Sequence, residues 1–552
     1  MTDFMLSRRA LLAGTALGLV AAATPAAARE RRSQGKKRSM AAAPEAVKGN
    51  QIAYPRLVEV GPGETFDLVA EPATHAFLPG KPVPVLGYGG GYMGPAIRLK
   101  RGTTAELRLV NRLDRPTNVH WHGLLVEGEF DGGTHPGVAP GADWRARLRV
   151  DQPAATLWYH AHVHGQTTRD IHDGLAGLLL VDDASTAALG LPSTWGVDDL
   201  ALVLQDRDFD ATGRPVRPPL AATLGHGFRG ATVIVNGTAE ALAKVPTRPV
   251  RLRLLNASGA RTFRLYFEDQ RTFRLIGTDG GLLPEPIDLT YLPLSAGERA
   301  EILVDFAEGA SPLMTGPDEH EHRSGATVTT LPDVLTQPVR VIVFDAQKDS
   351  HPAATPWATA KGPAQVPLPT ALADLKRRRF ELRVIETGPG DAFAAAAMPT
   401  AGATDHAAMH HGGHGAAAHE EMGHAPASPG SMAHSAHDAA GPAPRLEING
   451  RAFAPGRIDE RVAIGATEIW EIVSPEMAHP FHLHGAHFRV LSEDGGRPKL
   501  WNVGAKDTVL VENSAEILVT FARRAGEDAP YLYHCHLLEH EDGGMMGTFT
   551  VS

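Results

Sequence analysis

Four pairs of histidines, each spaced two residues apart, most constrain what this sequence can fold into. They are His120/His122, His160/His162, His482/His484 and His534/His536, and the only cysteine, Cys535, sits inside the last pair. On an extended strand, successive side chains point to opposite faces. Each pair therefore presents two imidazoles on one face, and Cys535 faces away from its flanking histidines. One short segment can then serve two metal sites back to back. A single such pair is common on protein surfaces; four of them, with Cys535, His479 and His540 beside them, form a far more specific pattern. A lone cysteine excludes an intramolecular disulfide and any zinc site that needs several thiolates. A soft thiolate, two imidazoles and a weak axial thioether make a blue-copper electron-transfer site. His479, His540 and Met545 are the available partners of Cys535. Zinc also takes thiolate and imidazole, but a redox-inert ion has no use for eight paired histidines nearby.

The rest of the chain reads as one β module used three times. Glycine (58) and proline (42) are abundant, which suits short strands joined by tight turns. The segments 104–110 (TAELRLV), 250–255 (VRLRLL) and 467–473 (TEIWEIV) alternate apolar and polar residues. WYHAH at 158–162 repeats as LYHCH at 532–536, and HWHG at 120–123 as HLHG at 482–485. The first and last modules share both motifs and the middle one has neither. Domains are expected over 50–185, 197–347 and 377–552, with a Pro/Ala-rich linker over 348–376. Residues 387–444 read as a low-complexity insert rich in His and Met within the third module. The net charge of −10 argues against a nucleic-acid partner.

The N-terminus resembles a twin-arginine export signal over 1–28: Arg8-Arg9, an apolar run from Leu11 to Ala23, then Ala26-Ala27-Ala28. Residues 29–49 are basic, lack apolar periodicity and read as a flexible arm. No later stretch is long and apolar enough to span a membrane, so a periplasmic protein without a membrane span is expected.

HWHG (120–123), HAH (160–162), HPFHLHG (479–485) and HCHLLEHEDGGMM (534–546) resemble, in order, the four copper motifs of the multicopper oxidases. The resemblance runs over essentially the whole mature chain. It implies an all-β protein of three cupredoxin-like Greek-key β-sandwiches and four copper ions. His479, Cys535, His540 and axial Met545 would hold the blue copper. His120 and His482 would hold the single copper of a three-copper cluster. His122, His160, His162, His484, His534 and His536 would hold the cluster's coupled pair. Asp131 and Glu541 match the family's proton-relay positions. Ala161 stands where Cys535 stands in the other copy of the motif, so the first module builds no blue site. His164, His172 and His487 are expected to be outer-shell residues. Met546 is the alternative axial ligand, which strand alternation turns away from Met545.

The resemblance implies dioxygen as electron acceptor and Cu(I) or small aromatic reductants as donors, in a monomer. The export signal and the insert are similar to those of periplasmic cuprous oxidases. Met477, Glu476 and the insert residues Met409, His410, His411, His414, Met422, His424, Met432 and His434 are candidates for a substrate-copper site. Thioethers suit soft Cu(I), whereas imidazole also takes divalent ions. Pro475 and Leu125, however, stand where cuprous oxidases carry carboxylates. A laccase acting on phenols and aromatic amines is the alternative. A third reading, a copper-binding or division-related relative without catalysis, fits less well, because such relatives lose ligands and none is missing here.

Overall fold

The computed structural model describes residues 48–133, 137–317, 337–348, 362, 367–385 and 444–552. The export signal and nearly all of the expected arm and insert fall outside these residues, as does the expected linker apart from residues 348, 362 and 367–376.

The described residues form three β-sandwiches, each from two sheets. The first packs two four-stranded sheets, the middle one an eight-stranded on a six-stranded sheet, and the last two five-stranded sheets. Alternation along the strands builds the cores. In strand Thr103–Asn111 every second residue from Ala105 onward is buried, and Leu107 and Leu109 join Trp121, Leu157 and Val181 in the first core. Strand Thr467–Val473 gives Trp470 and Ile472 to the last core, where they join Phe481, Tyr533, Cys535 and Phe549. The middle core is purely aliphatic and aromatic, around Leu252, Leu254, Phe263, Phe267 and Ile302.

Strand order within each sheet departs from sequence order, and each sheet mixes parallel and antiparallel pairs, as crossover connections of the Greek-key kind require. Asn50–Gln51 pair in parallel with Ala241 and Leu242, so the start of the expected first domain hydrogen-bonds to the middle sandwich. The first sandwich's own strands begin at Leu57–Glu59.

Hydrogen bonds across the seam set the first and last sandwiches against each other. Asp542, in the short helix Leu538–Asp542, accepts the backbone N–H groups of Thr167 and Thr168 at 3.0 and 2.9 Å. These amides open the helix Thr167–Asp173, whose first N–H groups have no partner within the helix. Tyr531 donates its hydroxyl to the carbonyl of Val126 at 2.5 Å. Among the described residues no helix is long and apolar enough to cross a membrane.

Candidate metal centre

Strands Ala155–His160, His479–Leu483 and Tyr531–Cys535 bring the histidine pairs together at the junction of the first and last sandwiches. His120 and His160 exchange backbone hydrogen bonds in an isolated bridge, at 2.8 and 3.1 Å. In the last sandwich His482 lies opposite His534, and Phe481 opposite Cys535. The two-residue period does the rest: histidines face the first sandwich, while Phe481 and Cys535 face their own core.

Eight histidines form one buried cage, each at most 3% exposed. Donor atoms fall within 4.8 Å of one another in the sets His120/His122/His482, His122/His160/His536 and His162/His484/His534. His120 stacks on His484 and His122 on His482, with ring centroids 3.8 and 3.7 Å apart. On the other face of the last strand, His479, Cys535 and His540 form a separate set, with Cys535 Sγ 3.7 Å from His540 Nδ1. Met545 is buried in the same core cluster as Cys535, and its carbonyl accepts the Cys535 N–H.

Most cage rings follow one pattern: one nitrogen is anchored by an oxygen and the other is turned inward. Nδ1 of His120, His160, His482 and His534 lies 2.9–3.0 Å from the backbone carbonyls of Asp131, Ala161, Asp507 and Cys535. His484 Nδ1 is 2.8 Å from Asp131 Oδ2. His122 is the exception in polarity: its Nε2 sits 3.0 Å from Asp507 Oδ1, which leaves Nδ1 inward. An oxygen acceptor fixes the neighbouring nitrogen as N–H and leaves a lone pair on the far one. Nε2 of His120, His160 and His482, Nδ1 of His122 and both nitrogens of His536 are buried without a hydrogen-bond partner. Ring nitrogens buried without a partner are costly in a protein interior unless something else takes up their lone pairs.

Protonation cannot readily do so. Burial, aided by the neighbouring imidazoles, holds His122, His160, His162, His482, His484 and His534 well below the usual imidazole range. His536 is brought down to about 4. Neutral, converging lone pairs fit a cluster of cations. A buried thiol with two imidazoles on the opposite face fits a soft metal. Burial pushes the Cys535 thiol well up, a direction that a bound cation reverses.

Two carboxylates of the sequence pattern adjoin the cage. Asp131 closes the helix Gly128–Asp131, and its Oδ2 is 3.3 Å from His120 Nδ1 besides its contact with His484. Glu541 reaches between the two sandwiches, with Oε1 3.5 Å from His162 Nε2 and Oε2 3.5 Å from His534 Nδ1. Burial drives the Glu541 carboxyl well above its usual range.

The remaining candidates spread out. His164 packs edge-on against Phe453 and lines a cavity of about 370 Å³ with His162, Asp528 and Met546. Met546 thus faces away from the Cys535 core. His487 Nε2 is 2.8 Å from the Gly123 carbonyl. His172 lies on the helix Thr167–Asp173, with Arg207 on its carbonyl. Met477 is buried in the last core, and Glu476 is already paired with Arg383 at 2.9 Å. The insert candidates Met409, His410, His411, His414, Met422, His424, Met432 and His434 lie outside the described residues.

Sequence reasoning missed Asp507, Arg299 and Asn118. Asn118 Oδ1 accepts the His162 N–H at 2.6 Å. Asp507 is fully buried, and although burial pushes its carboxyl up, the charge and hydrogen bonds of Arg299 outweigh this and leave it below the usual range. The available signal was Lys506-Asp507-Thr508 directly before the apolar Val-Leu-Val, where charged residues have no evident place.

Models of the multicopper oxidase family match residues 70–186 and 423–552. A laccase-like multicopper oxidase, CueO from the lignin-degrading bacterium Ochrobactrum sp., has a solved structure similar to this one. It is 33% identical, with a TM-score of 0.73 over 91% of this chain and 100% of that one. The chain belongs to the multicopper oxidase family. Membership implies copper as the cofactor, and the buried histidine sets are groups that could hold it. Another member with a similar structure, McoA from Aquifex aeolicus, is 25% identical with a TM-score of 0.73, over 92% of this chain and 100% of that one. Among sequence relatives, the multicopper oxidase mco of Staphylococcus haemolyticus is 28% identical over 91% of this chain and 93% of its own. The cell division protein FtsP of Xenorhabdus nematophila is 31% identical over 99% of both chains.

Proposed function

We propose that this protein is an exported, periplasmic four-copper oxidase. It couples four one-electron oxidations at a blue copper to the reduction of dioxygen to two waters at a three-copper cluster. The observation that carries the reading is the two-faced segment 534–536: Cys535 points to His479 and His540, while His534 and His536 point into the cage.

His479, Cys535, His540 and Met545 would hold the blue copper. His120 and His482 would hold the single cluster copper, and His122, His160, His162, His484, His534 and His536 the coupled pair. Copper in these sites supplies one-electron redox couples and a place for dioxygen to bind. The chain supplies the rest. The Cys535 backbone and its neighbours give a short covalent path between the two sites. Asp131 and Glu541 would relay protons at the cage wall, their carboxyl oxygens lying within 2.8–3.5 Å of ring nitrogens.

We assign Cu(I) as the donor. His479 and His540 are fully buried, which favours a small donor over a ring that must stack on the site. The His/Met-rich insert would gather copper. Glu476, committed to Arg383, is a weak candidate for a substrate-copper ligand, and Met477 a better one. A phenol-oxidising laccase is the second reading, supported by the likeness to the Ochrobactrum protein, which is described as oxidising lignin model compounds and lignosulfonate. The likeness to FtsP raises a division role, but a relative without catalysis would not need the full set of ligand positions kept here. The test is turnover of Cu(I) and of a phenol by the same copper-loaded enzyme, with and without residues 401–440. Faster Cu(I) turnover, lost with the insert at limiting copper, supports the assignment. Phenol turnover that exceeds it in both forms makes the protein a laccase, and no turnover of either removes the oxidase reading.

A further inference from the structure

The middle sandwich carries none of the histidine pairs, yet it reaches the cage through one turn. In segment 295–299 Glu298 Oε2 accepts the Ser295 N–H and hydroxyl at 2.7 and 2.8 Å, which closes the turn. Gly297 there has φ +85°, and a Cβ on it would lie 2.9 Å from Cγ and Cδ2 of His536. The turn's backbone thus lies flat on a cage ring, where only glycine fits.

Arg299 follows, at the start of strand Arg299–Asp305, and its side chain has no exposed surface. Its guanidinium bonds to all three sandwiches. Nε donates to the carbonyl of Thr156 in the first at 3.2 Å. Nη1 and Nη2 donate to the carbonyls of Gly297 and Asp279 in the middle one at 3.0 and 3.2 Å. In the last sandwich, Nη1 donates to Asp507 Oδ1 at 2.7 Å and Nη2 to Asp507 Oδ2, as a two-pronged pair.

Asp507 in turn touches two cage histidines, His122 through Oδ1 and His482 through its carbonyl. Gly123, the last residue of HWHG, has φ +85°; a Cβ there would sit 2.5 Å from Asp507 Oδ2 and 2.6 Å from Arg299 Nη2. The motif's glycine is therefore what lets the ion pair come up beneath the histidines.

We propose that Arg299 is a positioning residue of the copper cluster: supplied by the middle sandwich, it clamps Asp507 so that His122 offers Nδ1 and His482 offers Nε2 to metal. The proposal rests on the reading of the cage as a copper site. It gives the middle module a part in the cluster besides spacing its neighbours. Without the clamp, the Asp507 carboxylate loses its two-pronged partner and can turn from His122, and the tautomer of His122 is no longer fixed.

The test compares wild type, Arg299→Met and Arg299→Lys with Arg253→Met. Arg253 is an equally buried arginine of the same sandwich, paired with Asp199 and Glu301 and hydrogen-bonded to Thr156. Copper per chain, the blue absorption, and the paramagnetic resonance of Cu(II) outside the blue site are measured on each copper-loaded protein. Arg299→Met is expected to keep its blue absorption and to lose roughly half or more of its cluster copper. Lysine keeps the charge but not the fork, so Arg299→Lys should fall between it and wild type. Arg253→Met should lower the unfolding temperature without selective loss of cluster copper. Full cluster copper with unchanged resonance in Arg299→Met overturns the proposal, as does loss from both sites in the same proportion as in Arg253→Met. If Arg299→Met does not fold, Arg299→Lys decides: an unaltered cluster resonance overturns, a weakened one with the blue site intact supports. Wild type that binds no copper would instead refute the oxidase reading itself.

Discussion

Cys535 and its neighbours carry the account at the scale of single residues. Serine is nearly the size of cysteine but offers no soft thiolate to copper. Cys535→Ser should keep the fold and the cage, and lose both the blue absorption and oxidase turnover. An intensely blue variant would move the thiolate elsewhere, and no other cysteine exists. The carboxylates make a separate prediction. Asp131→Asn and Glu541→Gln preserve shape and remove the acid. Reduction of the blue site by donor should then be unchanged, while reoxidation by dioxygen slows about 100-fold or more, the usual cost of a lost general acid or base. Stopped-flow traces of the two half-reactions separate these. Equal slowing of both, or of neither, contradicts the assigned roles.

Among elements, the strand period accounts for most of what the sequence made legible. The spacing of two in each histidine pair and the placement of Cys535 between His534 and His536 depend only on side-chain alternation, so the two-faced site could be read without coordinates. Asp507 and Arg299 could not. They sit more than 200 residues apart, and their meeting depends on three sandwiches closing on one point. A charged residue beside an apolar run looks like a strand end until the partner is known. Gly297 was equally hidden, because nothing local tells a turn that rests on a histidine from an ordinary turn. It yields a test of the element. Gly297→Ala forces an L-residue into positive φ, at about 1–2 kcal/mol, and drives a methyl into the His536 ring. Less cluster copper per chain, with the blue absorption kept, is the expected result. An alanine variant with full copper would mean that the turn has room to shift.

For the whole molecule, the cage makes the copper-free protein sensitive to acid. In an unfolded chain these imidazoles titrate near 6.5. Burial holds at least six of them well below that value in the folded protein. Below about pH 6.5 the unfolded chain therefore binds protons that the folded one refuses. Stability falls as pH drops, by up to about 1.4 kcal/mol per pH unit for each such histidine, and above pH 7 it is flat with respect to these groups. Urea midpoints of the copper-free protein at pH 7.5 and 5.5 should show a marked drop; equal midpoints would mean that the rings are already hydrated or charged. The central claim concerns what the assembled sandwiches do together. The family holds both named oxidases and a relative named for cell division, and the architecture alone does not separate them. The electron count does. Oxygen uptake and donor oxidation are measured together on the copper-loaded protein, with peroxide assayed in the same vessel. Four Cu(I) oxidised per dioxygen consumed, with no peroxide beyond a control lacking protein, is the result that a blue site feeding a three-copper cage requires. Two per dioxygen with peroxide accumulating, or no protein-dependent uptake at all, would contradict it.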